Sequence, residues 1–337
     1  MSGKIIICQA NSTDIDIIMD FLQKHKRADH VLVTRPKFLE WQHLDPDDPI
    51  KLTFLTAVNE GAEKNILALL GFMPYRRFDP NMENNVLALA IWKVRNEVAP
   101  PGSGLQLLKS LANKLILEII VAAEIGEMVK PIYKMLGYNV GIMHHAALPV
   151  AKANYALLRH FDSSYLHQED AQHNDVGKQN RAVKLSRVHD LESVCDAIDS
   201  LGALVMSIKS ARYIEGRFFN HPLYYCHILA VTQDSLKGII IAREVFVKEA
   251  RALRIVDMIG DNDVLICSAH LLRDYADVFG CEYVDVVQFG IDVDALHAVG
   301  FVDRQVMPGL IIPNYFEPLS LMNVEVAFAF RESGDVP

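Results

Sequence analysis

The sequence predicts an α/β protein composed of two similar domains in tandem. Its 337 residues exceed the usual size of one domain. Stretches with an apolar period of two alternate with stretches whose period is about 3.6. The pattern Ala-Leu-x-Ile occurs at residues 88–91 and 252–255, and an aliphatic-Gly-aromatic triplet occurs at 136–138 and 299–301. Because these two separations differ by a single residue, the sequence indicates an internal duplication.

The first half of the chain alternates strands with helices. Its strands are predicted from apolar alternation and β-branched content, with a turn signal at 59–61. From Leu105 onward, leucines recur on one helical face. Pro131 suits the first turn of a further helix, and Gly137 suits its C-terminal cap. The expected elements are strands at 52–58, 66–72, 86–94, 116–122 and 138–144, a helix at 105–115 and a helix from 130.

A polar stretch at residues 162–184 predicts a linker between a first domain at 1–161 and a second at 185–337. After it, the same alternation of strand and helix patterns begins again. The expected elements of the second domain are helices at 191–201, 265–279 and 293–299 and strands at 224–232, 238–247, 252–259 and 283–289.

The composition restricts the class of partner. A net charge of −9 argues against nucleic acid, because phosphate backbones are bound by clustered Lys and Arg. An anionic small molecule stays compatible, since it needs only a local positive site. The chain contains no run of about 18 apolar residues and no signal-peptide pattern at its start. We therefore expect a cytoplasmic protein that does not bind membranes.

Cysteine and histidine spacing gives no metal signature. The five cysteines are scattered without a CxxC pair, which predicts reduced thiols. His144 and His145 are adjacent, a poor spacing for two ligands on one helix face. The sequence thus predicts a protein without a metal.

The strongest functional signal is a glycine loop between the predicted strand at 86–94 and the helix from Leu105. Gly102 and Gly104 let a ligand approach the backbone, and the helix N-terminus offers unpaired N–H groups and a positive dipole end. This arrangement suits a pyrophosphate; the alternative is a turn that merely requires glycine. The loop matches neither a Walker A motif nor a Rossmann fingerprint, whose third glycine is replaced by Leu107.

A second motif, at residues 129–138, is a helix that carries Tyr133 and ends in Leu-Gly-Tyr. Together with the glycine loop it resembles the GNAT (GCN5-related N-acetyltransferase) superfamily over about residues 50–145. The resemblance implies two tandem GNAT-like domains, each with a mixed, mainly antiparallel central sheet flanked by helices. It also implies acetyl-CoA as cosubstrate, with its pyrophosphate on the loop. Ala99 stands where the family usually has Arg or Gln.

The duplication places a second such loop at residues 264–268, which contain no glycine. We therefore predict one acetyl-CoA site per chain, in the first domain. The cofactor-binding residues that the resemblance implies are Trp92, Lys93, Val94, Gly102, Ser103, Gly104, Leu105 and Tyr133.

The resemblance implies direct attack by an amine on the acetyl thioester, aided by positioning and by a backbone N–H near residues 92–94. Tyr133 is the candidate acid for the leaving thiolate, with a packed core tyrosine as the alternative. The proton of the amine has several candidate acceptors, for each of which a structural role is the alternative. They are Glu97, His144, His145, His221 and a chain of waters. His221 stands out among them, because residues 218–222 form a polar-aromatic turn before a strand.

Basic and polar residues of the second domain are candidates for acceptor binding, because Arg forks suit phosphate; solvated surface charge is the alternative for each. They are Arg212, Arg217, His221, Arg243, Asn314 and Arg331. Residues 90–94, 101–105 and 314–316 resemble GNAT proteins of bacterial surface-polysaccharide synthesis, including O-antigen, capsule and lipopolysaccharide. That resemblance implies a nucleotide-linked amino sugar, with the uridine diphosphate form first, as acceptor.

Three other interpretations stay open. The first is a tandem aminoacyl- or acyltransferase acting on a cell-wall precursor, although such proteins often use the second copy. The second is a CoA-responsive binding protein without catalysis. The third is an α/β protein whose glycine loop is only a turn. Exposed strand edges leave a homodimer open as well.

Overall fold

The structure, a computed structural model, contains two compact units. Unit 1 comprises Met1–Gly141 together with Ala327–Pro337, and unit 2 comprises Ile142–Val326. This division differs from the predicted one, which placed residues 142–161 in the first domain and residues 327–337 in the second. Much of the predicted linker at 162–184 lies outside the described residues. The described residues are 4–59, 65–82, 86–114, 119–166, 183–192, 195–204, 209–316 and 320–332.

The described strands and helices are numbered here in chain order. The strands are β1 (Ile5–Asn11), β2 (Lys51–Asn59), β3 (Ile66–Pro74), β4 (Val86–Val94), β5 (Ile119–Ala123), β6 (Asn139–Pro149), β7 (Lys184–Arg187), β8 (Cys226–Gln233), β9 (Ser235–Val247), β10 (Ala250–Gly260), β11 (Tyr283–Gln288) and β12 (Val326–Glu332). The helices are α1 (Ile15–His25), α2 (Val31–Thr34), α3 (Pro36–His43), α4 (Ser103–Lys114), α5 (Lys130–Met135), α6 (Cys195–Leu204), α7 (Ala211–Ile214), α8 (Asp263–Val278) and α9 (Val293–Ala298). Within the part of the chain that the structure describes, no helix is both long enough and apolar enough to cross a bilayer.

The sheet of unit 1 has the strand order β1-β2-β3-β4-β5-β12. Strands β1 to β4 are antiparallel neighbours, β5 lies parallel to β4, and β12 lies antiparallel to β5. Helix α4 connects the parallel pair, as a crossover must. Leu108 and Leu111 are buried in the core of this unit, as their spacing with Leu105 predicts, and Leu107, which lies outside the predicted face, is buried beside them. Leu105 is only half-buried and lines a cavity.

The sheet of unit 2 repeats this topology in the order β7-β8-β9-β10-β11-β6. Strands β7 to β10 are antiparallel, β11 lies parallel to β10, and β6 lies antiparallel to β11. Helix α8 joins β10 to β11 and packs Val264, Leu265 and Leu272 into the core. The predicted fold class, two mixed and mainly antiparallel sheets flanked by helices, is confirmed.

The sixth strand of each sheet comes from a distant part of the sequence. In unit 1 it is β12, whose Phe328 lies opposite Ala123 of β5. In unit 2 it is β6, whose Pro149 lies opposite Tyr283 of β11. The sequence analysis predicted no strand in this segment. Ala329 of β12 is fully buried, because alternate side chains of the strand enter the core of unit 1.

Candidate active site

A cavity of about 510 Å³ opens in unit 1 where β4 separates from β5. The parallel pairing of these strands ends at Leu89 opposite Ala122, whereas β4 continues to Val94 along β3. The last residues of β4 are therefore left to line the cavity. Every predicted cofactor-binding residue except Tyr133 lies in the cavity wall: Trp92, Lys93, Val94, Gly102, Ser103, Gly104 and Leu105.

The opposite wall of the cavity is apolar and was missed in the sequence analysis. It is formed by Met128, Val129, Ile132 and Met135, in and just before α5. Met128 and Met135 are 85% and 68% exposed. Met128, Ile132 and Met135 are spaced by four and then three residues, a helical spacing that could have indicated a shared face. The cavity is thus lined both by the glycine loop and by flexible apolar side chains.

The glycine loop makes a tight entry into α4. Gly102 has a φ of +83°, and a Cβ atom at this position would meet no atom within 4 Å. Ser103 begins the helix, and its buried Oγ donates a hydrogen bond of 2.6 Å to the carbonyl of Pro100. The amides of the next residues, Gly104 and Leu105, belong to the first helical turn, which has no acceptor within the helix. Both residues line the cavity, and free amides at a helix N-terminus can bind an anion.

Gly104 lets α4 lie directly against β4. A Cβ atom on Gly104 would lie 2.8 Å from Cγ2 of Val94 and 2.9 Å from Nε1 of Trp92. Both distances are too short for any real side-chain contact, so either the helix or the two β4 side chains would have to move. Glycine at this position therefore fixes the distance between the helix N-terminus and the end of β4.

The charges around the cavity favour an anionic ligand. Among the described lining residues, Lys93 is the one with a formal charge. The N-terminal end of α4 adds a partial positive charge. Arg95 and Glu97 follow β4 but pair with each other at 3.2 Å. The cavity therefore has a net positive character that the acidic composition of the chain does not suggest.

Tyr133 lies in the core of unit 1. Its side chain is only 2% exposed, and its ring packs edge-on against Trp92 and Tyr138, with centroids 5.8 Å and 5.0 Å away. Burial raises the pKa of Tyr133 well above its ordinary value, so the phenol stays protonated. This placement corresponds to the alternative that the sequence left open, a packed core tyrosine that supports the cavity wall from behind.

Two other predicted site residues of unit 1 have partners of their own. Glu97 is exposed, and its pKa is lowered by its own backbone N–H and by the hydrogen bond from Arg95, so it is a weak base. Arg331, in β12, donates a hydrogen bond of 3.3 Å to the carbonyl of Leu136 and lies over the ring of Tyr138. Arg331 thus satisfies a carbonyl at the end of α5.

In unit 2, His145 has the surroundings of an oriented base. Its Nε2 atom lies 3.0 Å from Oδ2 of Asp285, which is fully buried and also bound by Arg254 at 2.7 Å. Burial by itself would raise the pKa of Asp285, but the charge of Arg254 and the hydrogen bond from His145 more than offset it, and the pKa is lowered. The ionised Asp285 fixes the proton of His145 on Nε2 and leaves Nδ1 as the basic atom. The sequence analysis did not identify Arg254 or Asp285.

His221, Arg217 and Arg243 form a cationic cluster in unit 2. Burial, followed by the charges of Arg243 and Arg217, lowers the pKa of His221 to about 4. Its Nδ1 accepts hydrogen bonds from the amides of Leu223 and Tyr224, at 3.1 and 3.0 Å. His221 is therefore a neutral imidazole with its proton on Nε2. With Nδ1 already accepting two hydrogen bonds, this geometry does not suit proton abstraction.

The remaining predicted acceptor-binding residues have different surroundings. Arg212, in α7, is exposed. Asn314 closes its own loop: its side chain donates to the carbonyl of Phe316 and accepts from Ser320 Oγ at 2.9 Å. The structure therefore groups Arg217, His221 and Arg243 but does not bring Asn314 into that cluster through any described contact.

The loop of unit 2 that corresponds to the glycine loop is formed by residues 260–262. The predicted position, 264–268, was wrong, because those residues lie inside α8. The amide of Asp263 donates to Oδ1 of Asp261 at 3.0 Å, so the helix N-terminus already holds a carboxylate. Val264 fills the space above Gly260, where a Cβ would lie 2.7 Å from Val264 Cγ2. This loop is acidic and filled, unlike the loop at Gly102.

Solved structures show the same fold. A GCN5-related N-acetyltransferase from Anabaena variabilis superposes with a TM-score of 0.54 at 11% identity, covering 98% of this chain and 73% of that one. One from Kribbella flavida gives 0.54 at 10% identity, covering 98% and 71%. A probable N-acyltransferase from Enterococcus faecalis gives 0.52 at 8% identity, covering 98% and 73%. The chain has the GNAT fold. No family model matches the sequence, and no curated protein matches it by sequence similarity.

We expect Gly104→Ala to destabilise unit 1, because its Cβ would press on Val94 and Trp92. The free energy of unfolding should fall by about 1–3 kcal/mol, as for other overpacked sites. Urea denaturation measures this loss. Gly126→Ala is the matched control, since a Cβ there would meet no atom within 4 Å, and it should change stability by less than about 0.5 kcal/mol. Equal stability of both variants would show that α4 does not lie against β4 at this distance.

We expect His221 to stay neutral throughout the physiological range. Its pKa of about 4 in the folded protein lies below that of an exposed imidazole. Between about pH 6.5 and pH 4, His221 is protonated in the unfolded chain but neutral in the folded state. The free energy of unfolding therefore decreases as the pH falls through this range, and His221 has no further effect below about pH 4. NMR titration of the imidazole nitrogens measures both pKa and tautomer. A midpoint near 6.5, or a proton on Nδ1, would contradict the described hydrogen bonds.

Proposed function

We propose that this protein is an acetyl-CoA-dependent N-acyltransferase whose cosubstrate binds in the cavity of unit 1. The observation that carries the proposal is that three features line the same cavity. The open end of β4, the first turn of α4 and Lys93 all line a single cavity of about 510 Å³. An exposed helix N-terminus beside a lysine suits a pyrophosphate, and the apolar wall suits an extended aliphatic arm.

The residues of the cavity fit acetyl-CoA in two ways. The positive φ and open surroundings of Gly102 leave space where the loop backbone meets the ligand. The end of β4 has no β5 partner beyond Leu89, so its backbone groups on that edge are available to a ligand. Acetyl-CoA supplies the activated acetyl thioester. The chain supplies positioning and a backbone N–H for the thioester carbonyl, and the attacking group is an unprotonated amine.

For the acceptor, we propose a nucleotide-linked amino sugar, with the uridine diphosphate form first, in bacterial surface-polysaccharide synthesis. Its support is the resemblance given above and the cationic cluster of Arg217, Arg243 and His221 in unit 2. The guanidinium of Arg243 lies 4.1 Å from the ring centroid of Tyr224, which provides both a positive charge and an aromatic surface. Such a combination suits a diphosphate joined to a base or sugar.

One observation favours a second candidate, a CoA-binding protein without catalysis. Among the described residues that line the cavity, none is a carboxylate, a histidine or a tyrosine. Tyr133 is buried behind the wall, and Glu97 is paired with Arg95. An acyltransferase that works by positioning its substrates can function without an acid or base in the cavity wall, because bulk water can accept the proton of the amine. A protein that only binds CoA needs no acid or base at all.

Titration calorimetry with acetyl-CoA tests the cavity. We expect one site per chain, because in unit 2 the carboxylate of Asp261 already binds the amide of Asp263 at the corresponding helix N-terminus. Lys93→Gln should weaken binding about tenfold, which corresponds to about 1.4 kcal/mol, because it removes the formal charge of the cavity wall. Lys109→Gln, on an exposed position of α4 outside the wall, is the matched control and should bind like the wild type.

Absence of acetyl-CoA binding to the wild type would overturn the proposal. Unchanged affinity of the Lys93→Gln variant would place the ligand outside this cavity.

Release of free CoA thiol, measured with a panel of amines, tests the acceptor. We expect a UDP-linked amino sugar to give at least a tenfold higher kcat/KM than the same sugar without its nucleotide. Arg243→Gln should raise KM for the linked sugar, whereas Lys184→Gln, at an exposed position of β7, should not. Equal rates with linked and free sugars would overturn the nucleotide assignment. Binding of acetyl-CoA without turnover of any amine would support the non-catalytic candidate.

A further inference from the structure

A group of two histidines and one aspartate comes together in unit 2, separate from the cationic cluster. His144 belongs to β6, His297 to α9, and Asp303 follows a bridge between Val302 and Ala147 of β6. The Nε2 atom of His297 lies 3.0 Å from Oδ2 of Asp303, and Nε2 of His144 is hydrogen-bonded to the same oxygen. The three ligand atoms lie within 4.8 Å of one another.

The backbone fixes Asp303 so that one oxygen is left for this group. Its Oδ1 accepts hydrogen bonds from the amides of Gln305 and Val306, at 2.7 and 3.0 Å. Its Oδ2 is thereby directed to the two histidines. The Asp303 side chain is 4% exposed, whereas those of His144 and His297 are 19% and 18% exposed. The group is thus mostly buried but accessible to a water molecule.

The neighbouring histidine shows why this group differs from an ordinary His–Asp pair. His144 and His145 are adjacent on β6, so their side chains point to opposite faces of the strand. His145 contacts Asp285, but that carboxylate is already neutralised by the buried Arg254. Among the described contacts, Asp303 has no Arg or Lys partner and instead faces two imidazoles.

We propose that His144, His297 and Asp303 bind one divalent transition-metal ion, with solvent completing its coordination. Two imidazole nitrogens and one carboxylate oxygen form a donor set suited to Zn²⁺, Fe²⁺ and related ions. Three protein ligands with an open position are the pattern of sites that keep a bound water. The sequence analysis predicted no metal, because it compared His144 with His145 and could not see His297 and Asp303 beside it.

Zinc titration of the untagged, chelator-treated protein tests the site. We expect one tight Zn²⁺ per chain, measured by calorimetry or by competition with a chromogenic chelator. His297→Gln and Asp303→Asn should each weaken binding by roughly 100-fold or more, because each removes a direct ligand. His270→Gln, on an exposed position of α8, is the matched control and should bind as the wild type does.

A second measurement uses only the wild type, so its result does not depend on whether the variants fold. Zinc should shift the imidazole NMR signals of His144 and His297 and leave that of His270 in place. It should also raise the Tm of the wild type, because the folded state binds the ion. No stoichiometric zinc binding by the wild type, or binding that leaves the signals of His144 and His297 unchanged, would overturn the proposal.

Discussion

The parallel pairing of β4 with β5 ends at Leu89, and the arrangement of unit 1 depends on this early end. A parallel pair requires a crossover, so the chain must leave β4, turn and return through α4 before β5 begins. Because β4 continues past Leu89, the turn lies beyond the paired region and the helix starts beside an open strand edge. One interruption of pairing therefore produces the cavity, its strand wall and its helix N-terminus together. Gly104 then sets how closely the helix approaches that wall.

Unit 2 has the same strand order but different chemistry at the corresponding point. There Asp261 occupies an amide of the first helical turn, and Val264 packs into the space above Gly238 and Gly260. The strand order is the same in both units, but in unit 2 a carboxylate and an aliphatic side chain occupy the position that corresponds to the anion site. Polar groups of unit 2 instead gather elsewhere, around Asp285, His221 and Asp303. The two units are thus similar in topology and different in what they can bind.

The sequence predicted local elements well, because apolar periodicity directly reflects which face of a strand or helix is buried. Leu108 and Leu111 occupy the core as their spacing predicts, and the glycine loop lies at the cavity. Apolar periodicity could not predict contacts between segments that are distant in the sequence. Nothing in the pattern around Ala329 indicates that β12 pairs with β5, and nothing in the pair His144-His145 indicates Asp303. The burial of Tyr133 likewise depends on Trp92 and Tyr138 packing around it, which a motif alone does not contain.

The sixth strand of each sheet, β12 in unit 1 and β6 in unit 2, affects the order in which the sheets can form during translation. Unit 1 is completed only by β12, near the end of the chain, and the sheet of unit 2 includes β6, which is made before its other strands. During translation, β6 therefore emerges long before β11, its antiparallel partner, and β5 waits for more than half of the chain before β12 arrives. Strands separated by so many residues pair slowly, because closing a long chain segment costs entropy. Until they pair, the edges of β5 and β6 stay exposed. A truncation just after residue 141 therefore yields a unit 1 sheet in which the edge of β5 is uncovered.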